Sequence, residues 1–364
     1  MSDDRPHHAR LAMVALGSLS EIGPGRLRQI HAADAAMDSW ERILSGRPLQ
    51  FRWWTPELGT RWSNEAVSLA PELLWQRHAD RGVIVSLLGD DGYPVRLAAD
   101  PRPPAVLFWL GTPVTDQPIV AVVGTRRASS YGREVATSLG GQLSAAGISI
   151  VSGLALGIDG AAHRGALQHG TPPIGVIAGG LDCVYPPQHR ALFNEVAEAG
   201  WLMAEAPLGV RPSEWRFPAR NRIVAAIADA VVVVESGAGG GSMHTVREAE
   251  RRGIPVLAVP GPVGSAGSVG TNQLISEGCA PCRDADDVLV ALGLAQRAAA
   301  TASDVTSLGD VELEVLDRIG WSPISFERLI EQSGLPLGTA ALAVAALGAS
   351  GYIGLLGDMI ERRR

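Results

Sequence analysis

The segment Arg211-Pro-Ser-Glu-Trp-Arg-Phe-Pro-Ala-Arg-Asn-Arg222 interleaves four arginines with Trp215 and Phe217, against a single glutamate, Glu214. Cationic side chains beside aromatic rings can neutralise phosphates and stack bases, and each stacked base of a single strand contributes ~1–3 kcal/mol. The alternative is a surface loop whose arginines are merely solvated. Arg220, Asn221 and Arg222 open the following helix, a position from which they can instead face a pocket in the core.

Three further segments place polar groups at the start of a helix. Gly124-Thr-Arg-Arg-Ala-Ser-Ser-Tyr-Gly132 leaves an apolar run and enters a helical one. Backbone N–H groups at a helix start attract anions. Gly124 and Thr125 let a phosphate approach the chain there, and Arg126 can add a bidentate charge. The pattern is neither G-x-G-x-x-G nor G-x-x-x-x-G-K-[ST], so neither dinucleotide binding nor nucleotide hydrolysis is indicated and no cofactor is expected. Ser152 and Gly153 open the second segment, which runs to His163, and can line a phosphate pocket. Asp159 suits a helix N-cap, and His163, one turn on, can touch it. A structural Asp–His pair is favoured over a catalytic dyad, because no serine or cysteine nucleophile stands beside it. The third segment, Glu235-Ser-Gly-Ala-Gly-Gly-Gly-Ser-Met-His-Thr245, is too rich in glycine for a simple connection. It is expected to bring Ser242 and Thr245 beside the first two loops, and Gly270-Thr-Asn272 adds another polar turn.

Six short runs, each a hydrophobic strand closing on a glycine or a polar residue, carry these segments: 119–127, 148–153, 174–180, 201–205, 230–236 and 255–261. Uniformly apolar strands alternating with helix-length stretches predict an α/β fold, a parallel sheet covered on both faces, with ligands at the carboxyl ends of its strands. Ala105–Leu110 reads as one extra strand after a proline-rich approach. The first 80 residues have helical periodicity and hold five of the nine tryptophans. Within them, Leu19–Ile30 has a helix-hairpin-helix shape, with Gly23-Pro-Gly25 as the turn. Residues 81–294 are then the core domain and 295–310 an Ala/Ser/Thr-rich linker. Residues 311–364 run as three helices and two short segments around glycines, the order of a small winged-helix domain.

A net charge of −7 disfavours blanket attraction to nucleic acid but permits a local basic patch, because salt confines each charge to ~8–10 Å. No apolar stretch has transmembrane length, and MSDDRPHHAR is not a secretory start, so a cytoplasmic protein without membrane insertion is expected. Three cysteines point to a reducing compartment. Cys279 and Cys282 have C-x-x-C spacing, but only Cys183 remains to complete a zinc site, so no metal is expected.

With these residues in view the chain resembles the DNA-processing protein A (DprA/Smf) family. The matching pieces are GYP (92–94), VVGTR (122–126), SGLALGID with AAH (152–163), GGLDCVYP (179–186), FPARNRI (217–223), SGAGGGSMHT (236–245), VPG (259–261) and GTNQLI (270–275), in family order. The resemblance implies an extended Rossmann-like core that binds single-stranded DNA in a positive pocket and dimerises. It also implies loading of the RecA recombinase in natural transformation. By similarity, Gly124 and Arg126 would bind phosphate, Phe217 would stack or wedge near a base, and Arg220, Asn221 and Arg222 would complete the pocket. Leu156 stands where many relatives carry arginine, and Glu214 in a stretch often richer in lysine or arginine, which puts the pocket's charge in doubt.

The competing reading is an enzyme, a nucleoside-monophosphate phosphoribohydrolase on a related core. Thr245-Val-Arg-Glu248 keeps that family's T-x-x-E, and Glu248 could stabilise an oxocarbenium ion. Met243 and His244 replace its glycine, however, and FPARNRI is foreign to it. A duplex-DNA regulator is weaker still, because Glu327 and Glu331 flank Arg328 on the second helix of the carboxyl-terminal domain.

Overall fold

The computed structural model describes residues 5–294, 308–319, 323–356 and 359–362. Residues up to Ala295 form one compact unit and those from Gln296 a second.

The first unit begins with five helices, α1 (Arg5–Ser18), α2 (Gly23–Ala32), α3 (Ala36–Leu44), α4 (Pro56–Ala66) and α5 (Pro71–Asp80). Then come β1 (Ile84–Leu87), the short α6 (Val95–Ala98) and β2 (Val106–Gly111). The alternating core follows as β3 (Ile119–Val123), α7 (Ser130–Ala145), β4 (Ser149–Ser152), α8 (Ile158–Ala166), β5 (Ile174–Ile177), α9 (Arg190–Ala199) and β6 (Trp201–Ala204). It continues as α10 (Arg216–Ile227), β7 (Ala230–Val233), α11 (Ser242–Glu250), β8 (Val256–Ala258), α12 (Val269–Ser276), β9 (Ala280–Pro281) and α13 (Ala285–Ala291).

All six apolar runs are strands, β3 to β8, in a nine-stranded sheet ordered β1-β2-β6-β5-β4-β3-β7-β8-β9. Pairing is parallel from β6 through β9, while β2 joins β6, and β1 joins β2, antiparallel. The chain runs outward from β3 to β6 and then returns to place β7 on the other side of β3. That reversal gathers the loops after β3, β4, β5 and β7 along one edge, where open α/β sheets bind ligands.

Side chains alternate between two cores, as the two-residue period of a strand requires. Phe108, Leu202 and Ala204 face the helical layer. Trp109, Trp201 and Met203 face the opposite side, with Ile223 and Ile227 of α10. The helical layer shares its core with the sheet: Met13, Leu16 and Trp62 pack in the same cluster as Val85 and Phe108. His78 of α5 pins the two together. One ring nitrogen bonds the Leu74 carbonyl (2.7 Å), and the other accepts the Leu208 N–H (3.0 Å).

Gly23-Pro-Gly25 is not the turn between helices. It forms the first turn of α2, where proline's fixed φ and missing N–H fit. The chain reverses earlier, around Glu21, whose φ is 56°.

The second unit has helices Asp310–Ile319, Phe326–Ser333 and Leu337–Ala349 around Leu316, Leu329, Ala343 and Leu347. Its three antiparallel strands place Met359–Arg362 between Ile324–Ser325 and Ile353–Leu356. Most of the expected linker, 295–307, lies outside the described residues. No single helix among the described residues is long and apolar enough to cross a membrane.

Candidate nucleic-acid interface

The loop after β3 is threaded through a tight crossing. A Cβ on Gly124 would fall 2.5 Å from the Ile158 side chain and 2.8 Å from the Glu235 carbonyl oxygen, so only glycine passes. Thr125 N–H donates to that carbonyl (2.8 Å), and the Thr125 carbonyl accepts the Ile158 N–H (3.3 Å). With Thr125 held on both sides, Arg126 projects from the tip, exposed. Its guanidinium carbon lies 4.5 Å from the centroid of Phe217, and the Phe217 ring lies 5.6 Å from that of Tyr185. No hydrogen bond or ion pair to a described residue engages the Arg126 side chain. These three side chains line a cleft floored by Gly153, Ala178 and Gly179 at the ends of β4 and β5. Leu156, 37% exposed, stands in its wall.

The expected anion site at the start of α7 is filled by the protein itself. The buried Glu235 carboxylate accepts the Ser129 N–H (2.9 Å) and hydroxyl (2.5 Å), and Ser129 in turn caps the Gly132 N–H (3.0 Å). A Cβ on Gly132 would come within 2.3 Å of Glu235. The anion at this helix start is thus a side chain contributed from the loop after β7 rather than a phosphate.

The three polar residues of FPARNRI have three different surroundings. Arg220 is buried, and its Nη1 donates to the Gly153 and Val176 carbonyls, both at 2.6 Å. Its Nε donates to Asn221 (2.9 Å), which donates to the Gly241 carbonyl (3.3 Å) and so ties α10 to the loop before α11. Burial pulls the Arg220 pKa down and Asp159 opposes it. Arg220 therefore buttresses the cleft floor. Arg222 points away from the cleft: its guanidinium pairs with Glu205 and donates to the Arg102 carbonyl (2.8 Å).

The expected hydroxyl ligands are also engaged internally. Ser152 donates to the Val122 carbonyl (2.6 Å), joining β4 to β3, and is fully buried. Ser242 donates to Ser236 (2.9 Å), and Thr245 is buried in α11. Asp159 does not cap its helix against His163. It accepts the Gly153 N–H (3.1 Å) and Ala155 N–H (3.4 Å), and burial raises its pKa against the pull of Arg220. His163 is fully buried, neither ring nitrogen has a hydrogen-bond partner among the described residues, and burial pushes its pKa down to about 3. Of the residues singled out, the structure brings Arg126, Gly153, Phe217 and Arg220 to one cleft. Trp215 lines a second one beside it with Arg220.

Glu248 is closed off. Burial alone would raise its pKa, but hydrogen bonds from Arg102 and Arg252 bring it down to about 2, and Arg251 adds a third contact (2.7 Å). Sequence reasoning missed Glu235 and Tyr185, and took Arg216 only as one of four interleaved arginines. Tyr185 carried a signal, an aromatic residue in the loop after β5 at the ligand edge, whereas the role of Glu235 depends on the crossing of two loops distant in sequence.

Residues 84–293 match the family model described as DNA recombination-mediator protein A. The chain is 33% identical over 307 residues to Protein Smf of Escherichia coli, covering 82% of each. It is 45% identical over 193 residues to a putative DNA processing protein DprA of Mycobacterium tuberculosis, and that match spans about half of the relative's length (50%). DNA processing protein A of Streptococcus pneumoniae superposes with a TM-score of 0.62 at 28% identity, over 80% of this chain and 98% of that one. The protein from Helicobacter pylori, whose structure is described for its single-stranded DNA binding mode, gives 0.51 at 30% identity, over 57% and 95%. The order of motifs, the sheet with its reversal between β3 and β7, and these matches together make the chain a member of the DNA recombination-mediator protein A family.

Proposed function

We propose that the protein binds single-stranded DNA independently of sequence and without turnover, in the cleft at Arg126. The observation that carries this reading is an arginine held over an aromatic face at the ligand edge with no hydrogen-bond or ion-pair partner among the described residues. A phosphate supplies the missing anion, and the rings of Phe217 and Tyr185 offer surfaces to bases, whose faces stack without regard to sequence. The Helicobacter pylori relative, described for single-stranded DNA binding, supports the same assignment. Gly124 and Thr125 fix the reach of Arg126, while Gly153, Arg220 and Asn221 fix the floor. Ser152, Arg222, Ser242 and Thr245 act behind it as supports.

In the wider role, the protein shelters incoming single strands and loads a RecA recombinase on them during transformation or recombination in the cytoplasm. It does so as a homodimer that joins two clefts along one strand and raises avidity without new contacts. The second unit, with three helices followed by a strand hairpin, serves as a winged-helix-like module for protein contacts. The phosphoribohydrolase alternative loses support because Glu248 is sequestered by three arginines.

Fluorescence anisotropy of labelled oligo-dT and of a matched duplex, at low and moderate salt, tests the proposal. Salt-sensitive preference for the single strand is the expected result. Equal binding of both forms, or of neither, contradicts it, and turnover of a nucleoside monophosphate that Glu248→Ala abolishes would establish the enzyme instead.

A further inference from the structure

Two adjoining clefts flank the first turn of α10. The second lies between α10 and the helical layer, with Gly23 and Pro24 of α2 on one side and Trp215 and Arg216 on the other. It shares Ile177, Ala178 and Arg220 with the first, so the two meet over the end of β5. Trp215 and Phe217 are two residues apart, ~200° around a helical turn, which sends their rings to opposite sides of the helix start.

The chemistry of the first cleft is repeated in the second. The Arg216 guanidinium carbon lies 4.4 Å from the Trp215 centroid, as that of Arg126 lies 4.5 Å from Phe217. Like Arg126, Arg216 makes no side-chain hydrogen bond or ion pair with a described residue. The other two arginines of α10 are engaged with carbonyls, Asn221 and Glu205. Glu205, the acidic group lining this cleft, is largely buried and ion-paired with Arg222; its charge also acts favourably on Arg216, but makes no ion pair with it. A half-buried cation without a hydrogen-bonding partner is costly unless an anion completes it. Trp215 remains 38% exposed, leaving ring surface for a base.

We infer that the cleft between α2 and α10 is a second strand-binding subsite. Arg216 takes a phosphate further along the strand held at Arg126, and Trp215 takes a base. The strand thus passes over the start of α10 and along the amino-terminal helical layer, which becomes part of the DNA-binding surface. This inference rests on the reading of the first cleft.

The test compares wild type, Arg126→Ala, Arg216→Ala and Arg216→Gln on labelled oligo-dT of increasing length across a salt series, with thermal melts as fold controls. Arg216→Ala and Arg216→Gln should match wild type on strands that fill only the first cleft. On longer strands both should bind more weakly, with a salt slope reduced by ~0.7, the share of one released counterion on a single strand. A second readout needs no substitution: photocrosslinking of 5-iododeoxyuridine strands to the wild-type protein should mark Trp215 or the Leu19–Arg26 peptide. If Arg126→Ala weakens all lengths while both Arg216 variants match wild type throughout and no crosslink reaches either segment, the second subsite is wrong and the first stands. If wild type binds no strand of any length, both readings fall.

Discussion

A single methyl group at Gly153 would fall 2.1 Å from Nη1 of Arg220, the atom that joins the Gly153 and Val176 carbonyls. Gly153→Ala should therefore expel the guanidinium and leave charge-assisted bonds unmade, each worth about 1.5–3 kcal/mol. The expected outcome in urea unfolding is a loss of about 2–4 kcal/mol, with Gly153→Ala and Arg220→Ala together costing little more than either alone because they break one contact. Additive losses would show that the two residues act separately. The arginine-rich stretch was legible in the sequence as a concentration of charge and rings, but the division of labour within it was not. Arg220 and Arg222, two residues apart, face opposite sides of α10, one toward the strand ends and the other toward Glu205. Which of them meets solvent depends on the surrounding elements, not on their own spacing. The place of Arg126 was readable because an arginine two residues past the glycine that ends a buried strand has few places to go except the edge.

Among the elements, β3 to β8 could be read directly, since a strand buried on both faces must be apolar throughout. β1 escaped notice: it is four residues long, lies at the sheet edge and carries Ser86 in its middle. The Gly-Pro-Gly of α2 was misread because proline suits a helix start as well as a turn. The hydroxyls of Ser152, Ser242 and Thr245 were expected to face a ligand, but small polar residues at a strand end or in a first helical turn can equally be buried, as Ser152 is against the Val122 carbonyl and Ser242 against Ser236. α8 gives a testable consequence of this packing. His163 lies fully buried with its pKa pushed down to about 3, so the folded chain binds fewer protons there than the unfolded chain below the ordinary histidine range. Its contribution is intact above about pH 6.5 and declines as pH falls, by about 1.4 kcal/mol per unit. His78, whose pKa burial also lowers, acts in the same sense, while the raised carboxyls of Asp159 and Glu205 oppose it. Replacing His163 isolates its share. Between pH 7 and 5, His163→Leu should lose about 2 kcal/mol less stability than wild type in urea titrations, and parallel acid limbs would contradict the assignment.

For the whole molecule, the net charge of −7 coexists with an arginine cleft because opposing charges elsewhere are screened within a Debye length. Association with DNA should therefore be local and steeply salt-dependent. The helical layer shares a core with the sheet, whereas the residues from Gln296 onward cluster separately. A chain ending at residue 294 should accordingly melt within about 2 °C of the first unit's transition in the full chain, the shift expected from less than 1 kcal/mol. A larger drop in calorimetry would mean that the second unit supports the first. The most direct test of the central claim is a double-mutant cycle on Arg126 and Phe217, read as oligo-dT affinity across a salt series. Arg126→Ala should weaken all sequences alike and reduce the salt slope by ~0.7. Phe217→Ala should cost ~1–3 kcal/mol with the slope unchanged. The double variant should fall short of additivity by about 0.5 kcal/mol or more, since the two side chains touch. Wild-type affinity and slope in both single variants would contradict the account and remove the strand from this cleft.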